Sequence, residues 1–122
     1  MPSGRTHLIA GALAGSLYMY FAEAPATIIL ASAVGGILPD IDHRHSMIGR
    51  FCFLWLICKH RGFTHSLLAL GVVAVGSLLL LPTDWCFGLV LGYSTHLMLD
   101  YLTPMGVPLA WPKPKRYSIR RW

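Results

Sequence analysis

"CFGLVLGYSTHLMLD", residues Cys86 to Asp100, is the stretch on which the reading of this chain turns. Gly88, Gly92, His96 and Asp100 recur every four residues, a spacing that a helix gathers into one ridge. Gly88 and Gly92 form a GxxxG pair, which lets a neighbouring helix approach closely in an apolar setting. The same ridge then ends in an imidazole and a carboxylate one turn apart. Packing alone accounts for the glycines. It does not account for Asp100, which would be an uncompensated charge in an apolar run, and such residues are costly and usually functional.

Similar patterns recur outward from this stretch. His7, Gly11 and Gly15 repeat the four-residue scheme near the start of the chain. Ser32, Gly36 and Asp40 hint at it again, but Pro39 predicts a helix break near Leu38 and places Asp40 and Asp42 on the loop beyond. In "KHRGFTHSLLALGVV", Lys59 to Val73, His60 and His65 stand directly against another apolar run. Four apolar segments follow: 8–22, 26–38, 63–81 and 86–102. A polar connection separates the second from the third, and a basic tail covers 113–122.

The fold expected is therefore all-α, a single membrane domain over 1–122 with about four transmembrane or partly inserted helices. Composition agrees: 55% of residues are hydrophobic and only 12% charged, against roughly a quarter charged in soluble domains. The first two segments fall short of the ~20 residues of a full span, so tilt or partial insertion is expected. A soluble helical bundle is the weaker alternative. "LIAGALAGSLYMYFAEA" resembles a signal-peptide core, but Arg5 is its only preceding charge and Pro25 would follow the cut.

Four crossings would put all ten Lys and Arg residues on one face, leaving Glu23 and Asp84 on the other. That is the positive-inside distribution, so both termini are expected in the cytoplasm. Every histidine and the carboxylates Asp40, Asp42 and Asp100 fall toward the same face. The three cysteines form no CxxC pair and read as reduced packing residues. No Walker-type phosphate loop is present, and Ser66 beside His65 lacks the partners of a triad. Basic residues mixed with Trp111, Tyr117 and Trp122 read as an interface anchor for membrane lipids, and no specific nucleic-acid partner is expected.

Imidazoles and carboxylates together suit Zn²⁺, Mn²⁺ or Fe²⁺ better than an all-oxygen ion such as Ca²⁺. His96 and Asp100 can chelate one ion from a single helix, with Asp40 and Asp42 adding oxygens. Each motif alone is weak, since His7 can be interfacial and the run from His43 to His45 can be solvated. Their joint depth is what favours a site.

The stretches "LPDIDH" (38–43), "KHRGFTHSLLA" (59–69), "LGYSTHLMLD" (91–100) and "LTPMGVPLAWP" (102–112), with "RTHLIAG" near the start, resemble the YdjM/YbcI family. These bacterial inner-membrane proteins are classed as metal-dependent hydrolases, and the nearest match is the YdjM branch. The resemblance implies a metal set of His7, Asp40, Asp42, His60, His65, His96 and Asp100. It also implies that Arg61 and the segment 103–112 lie beside the site. The reading reached is metal-assisted hydrolysis of a phosphoester at the cytoplasmic face, with zinc the first choice and a lipid headgroup the favoured source. Asp42 or His60 would act as ligand or general base, and Arg61 and Arg116 would hold the anion. The alternatives are a divalent-metal binding or transport protein, or a structural membrane protein, any of these as a homo-oligomer.

Overall fold

The computed structural model describes residues 3–42 and 62–119. Their regular structure is helical: α1 (Gly4–Ala22), α2 (Thr27–Ile37), α3 (Leu67–Leu80) and α4 (Thr83–Tyr101). Short 3-10 turns cover Leu38–Asp42 and Phe63–His65. His43, His60 and Arg61, each given a place in the expected site or its motifs, lie outside the described residues.

The helix starts differ from the sequence expectation for local reasons. α1 begins at Gly4 because the Ser3 hydroxyl accepts the Thr6 N–H at 3.2 Å, an N-cap that puts His7 inside the first turns. It ends at Glu23, whose positive φ of 52° turns the chain toward Pro25. α3 starts at Leu67 rather than residue 63, since Ser66 breaks from helical geometry and accepts the Ala69 N–H at 3.1 Å. α4 starts at Thr83, immediately after Pro82. There the Thr27 hydroxyl donates to the Asp84 carboxylate and joins the first turns of α2 and α4.

α2 is the central element. Gly11 and Gly15 of α1 press on it, and so do Gly88 and Gly92 of α4. A Cβ added at Gly11 would lie 2.3 Å from the Ser32 carbonyl oxygen, and one at Gly92 only 2.0 Å from the same atom. The two glycine seams read from the sequence therefore converge on one stripe of α2. Both meet the Ser32–Gly36 stripe of α2, where the Ser32 hydroxyl also donates to the Gly88 carbonyl at 3.1 Å. α3 is peripheral and reaches α4 through a small cluster of Ala69, Tyr93 and Leu97.

Beyond α4 the chain folds back as a clasp. Val107 and Tyr117 pair across an antiparallel bridge, which Gly106 permits with a φ of +65°. The Leu109 carbonyl accepts the Leu67 N–H at 3.0 Å, so this clasp satisfies an orphan amide at the start of α3.

The expectation of an all-α chain with about four transmembrane or partly inserted helices is met in its helical part, but not in full-length crossings. Among the described residues, no helix is long and apolar enough to cross a membrane. α2 has 11 residues and α3 has 14, rising only about 17 and 21 Å against a hydrocarbon core of about 30 Å. α1 and α4 reach 19 residues each, but glycines and buried polar residues dilute their hydropathy.

Candidate metal centre

The glycine seams bring the polar ends of the helices to one place. His7 comes from α1, Asp40 from the turn after α2, His65 from the turn before α3, and His96 and Asp100 from α4. His7, His65, His96 and Asp100 are essentially sealed from solvent, and Asp40 is nearly so. Pro39 and the break at Leu38 explain how Asp40 turns inward: a 3-10 turn replaces the next helical turn.

Four atoms from four of these residues enclose a small space. His65 Nε2 lies 3.1 Å from His96 Nε2. Asp40 Oδ1 is 3.5 Å from each of these nitrogens, and Asp100 Oδ2 is 3.4 Å from His65 Nε2 and 3.3 Å from His96 Nε2. These five edges are nearly equal. His65, His96 and Asp100 thus form one buried group of candidate ligands, and Asp40 joins His7 and His96 in a second, so the two carboxylates flank the facing nitrogens.

The outer hydrogen bonds orient the rings for this. His96 Nδ1 is 2.7 Å from the Gly36 carbonyl, which can only accept, so Nδ1 donates and Nε2 is the nitrogen that faces the centre. The Gly36 carbonyl is open to this bond because the α-helix stops at Ile37. His65 Nδ1 pairs with the Thr64 hydroxyl at 3.1 Å. Thr64 is held in turn, since its carbonyl accepts the Tyr93 O–H. Two ring nitrogens facing each other beside two buried carboxylates call for positive charge there, which protonated rings or a divalent ion would supply.

His7 stands one step back. Its Nε2 is 3.4 Å from Asp100 Oδ1, the oxygen turned away from the four-atom cage, and its ring stacks on His96 with centroids 3.6 Å apart. It can also group with Asp40 and His96 around an ion. Burial would push the Asp40 carboxyl up, but its hydrogen bond with His65 and the nearby charges of His96, His65 and His7 outweigh this. They hold it below its ordinary value of 3.8.

Of the residues nominated from sequence, the structure thus gathers His7, Asp40, His65, His96 and Asp100. Asp42 closes the 3-10 turn that carries Asp40. Arg116 is half-buried on the returning segment beside Tyr117. Thr64, Tyr93 and the Gly36 carbonyl were not nominated. Thr64 directly precedes a nominated histidine, and Gly36 stands one helical turn before Asp40, so spacing alone pointed to both positions.

A family model described as "YdjM inner membrane protein" matches residues 1–122. The chain belongs to this family. It is 39% identical over 104 residues to "Inner membrane protein YdjM" of Escherichia coli (strain K12), covering 75% of this chain and 53% of that one. The Shigella flexneri protein of the same name aligns with the same values. The chain spans about half the length of these curated relatives. A Bacillus subtilis (strain 168) relative, "Uncharacterized protein YvsG", is 34% identical over 124 residues, covering 96% of this chain and 78% of its own. No solved structure matches the chain significantly. The YdjM family description accords with the resemblance drawn from the histidine and aspartate motifs.

Proposed function

We propose that this chain resides in the inner membrane, holds a divalent metal at the cytoplasmic end of its helices, and uses it to hydrolyse a phosphoester. The close approach of Asp40 and Asp100 to the facing His65 and His96 nitrogens carries the reading. A divalent ion bound there would supply Lewis acidity and acidify water at neutral pH. The protein's own contribution is to aim two Nε2 atoms inward and to exclude bulk water. Asp40 is the ligand that solvent reaches, on a short turn rather than a packed helix. It would therefore be the residue best able to leave a position free for water if an ion were bound. Asp42 and His60 are assigned the general-base role, and Arg61 and Arg116 the holding of a phosphoryl anion.

Membrane residence rests on the outer surfaces. Phe21 is 78% exposed, Leu79 76% and Leu80 83%, on helices that direct their polar groups inward. Mean hydropathy counts those inward groups, whereas lipid would meet only the outer face. The distribution of basic residues supports a cytoplasmic side for both termini. Reporter fusions after Glu23 and after Trp122 should report opposite sides; agreement between them would contradict this topology.

One observation favours a second reading. Four side chains stand close to the same pair of nitrogens, and filling by four side chains is the habit of structural zinc sites, whereas catalytic sites keep a position open. The test is a screen of phospholipids and generic phosphoesters with metal-loaded protein, using Asp100→Asn as the blank. Chelator-sensitive release of phosphate or headgroup above the blank supports hydrolysis. A metal-loaded protein that never exceeds the blank leaves a held ion, or a carried one if proteoliposomes take up divalent ions.

A further inference from the structure

Beside the metal centre, on another face of α4, an apolar groove of about 510 Å³ opens between α3 and α4. Leu67 and Leu70 form one wall, Leu97 and Met98 the other, and Leu109 of the clasp closes one end. Tyr101 and Tyr117 stand at its polar end. There Lys115 Nζ lies 5.2 Å from the centre of the Tyr117 ring, within cation–π range, so a positive charge stands against a residue that lines the groove. Lys113 and Arg116 flank it in sequence.

We infer that the α3–α4 groove binds an acyl chain of an anionic membrane lipid, with Lys115 meeting the headgroup. The charge pattern selects this occupant. An apolar slot with a cation at one end is the complement of an anionic amphiphile, and it lies at the end of the bundle assigned to the cytoplasmic headgroup layer. The exposed α3 residues Leu68, Val72 and Val75 continue the apolar surface outside the groove. A second copy of the chain is a poorer complement. Asp40 and Asp100 are committed to the centre and Asp42 closes the same turn, while Glu23 and Asp84 sit at the opposite end of the helices. A parallel neighbour in the same membrane therefore offers at most Asp42 toward the depth of Lys115. The inference rests on the membrane half of the proposed function and is independent of hydrolysis.

The experiment is native mass spectrometry of the full chain in detergent, offered phosphatidylglycerol and phosphatidylcholine with identical acyl chains. The wild type should retain one phosphatidylglycerol with at least about fivefold preference, the effect of one basic residue at an anionic surface. Lys115→Glu should lose the preference while still retaining lipid. Met98→Trp, which fills the groove, should lose retention of both. Metal content should match wild type in both variants, showing that the helices remain assembled. Undiminished retention in Met98→Trp, an unchanged preference in Lys115→Glu, or a retained second copy in place of lipid would overturn the inference. Absence of the chain from the membrane fraction would instead contradict membrane residence itself.

Discussion

Gly92→Ala puts the glycine seam and the centre into one test. The added Cβ would sit 2.0 Å from the Ser32 oxygen, 2.7 Å from the Gly36 nitrogen and 2.8 Å from the Ser32 carbon, all backbone atoms of α2. No rotamer change relieves such a clash. α4 must withdraw from α2 by about 1 Å or more to reach ordinary contact distances. His96 is one turn further along, and its Nδ1 bond to the Gly36 carbonyl is 2.7 Å; a withdrawal of that size carries it beyond hydrogen-bonding range. It also displaces Nε2 by several times the ~0.2 Å tolerance of metal–ligand distances. Overpacking of this kind costs about 1–3 kcal/mol, and loss of an outer-shell partner lowers metal affinity by roughly 10–100-fold. The assay pairs thermal unfolding in detergent with metal titration. A Gly92→Ala protein that unfolds at the wild-type temperature and binds metal equally well would refute both the seam and its link to the centre.

The remaining predictions use contrasting sites. Gly71→Ala should be neutral or stabilising by up to about 1 kcal/mol, since nothing lies within 4 Å of the new methyl and alanine favours helix; a lower unfolding temperature would count against the position assigned to α3. Thr64→Val removes the hydroxyl 3.1 Å from His65 Nδ1 and should weaken metal binding about tenfold or more with little effect on assembly, as read by competition with a coloured chelator. Acidification should release the ion, because each imidazole must be unprotonated to ligate; metal retention that does not change between neutral and mildly acid buffer would contradict histidine ligation. Chelation should lower the unfolding temperature of wild type and leave Asp100→Asn unmoved, since that variant has little ion to lose.

Much of the site was legible because helical periodicity is a strong local signal. The four-residue spacing of Gly88, Gly92, His96 and Asp100 survives as one buried face of α4, and His7, Gly11 and Gly15 are the buried residues of α1. The pairing of the seams was not legible, because spacing shows that a helix has a small-residue ridge but not which helix meets it. Ser32 decides that, through a carbonyl whose position depends on three helices at once. The helix limits at Ser66 and Pro82 depend on capping and on the clasp, where Leu109 is 42 residues from the amide it satisfies. Hydropathy misled in a definable way, since apolar runs in sequence included the 3-10 turn at Phe63–His65 and overstated the length of α3.

The central claim is that His65, His96, Asp40 and Asp100 together hold one divalent ion. The direct measurement is elemental analysis combined with X-ray absorption at the metal edge on protein purified without added metal or chelator. The account predicts about one first-row ion per chain, foremost zinc, in a shell of two imidazole nitrogens and two carboxylate oxygens near 2.0–2.2 Å. Asp100→Asn should lose most of it while remaining in the membrane fraction. Wild-type protein with no stoichiometric metal, or metal content unchanged in both Asp100→Asn and His96→Ala, would contradict the account.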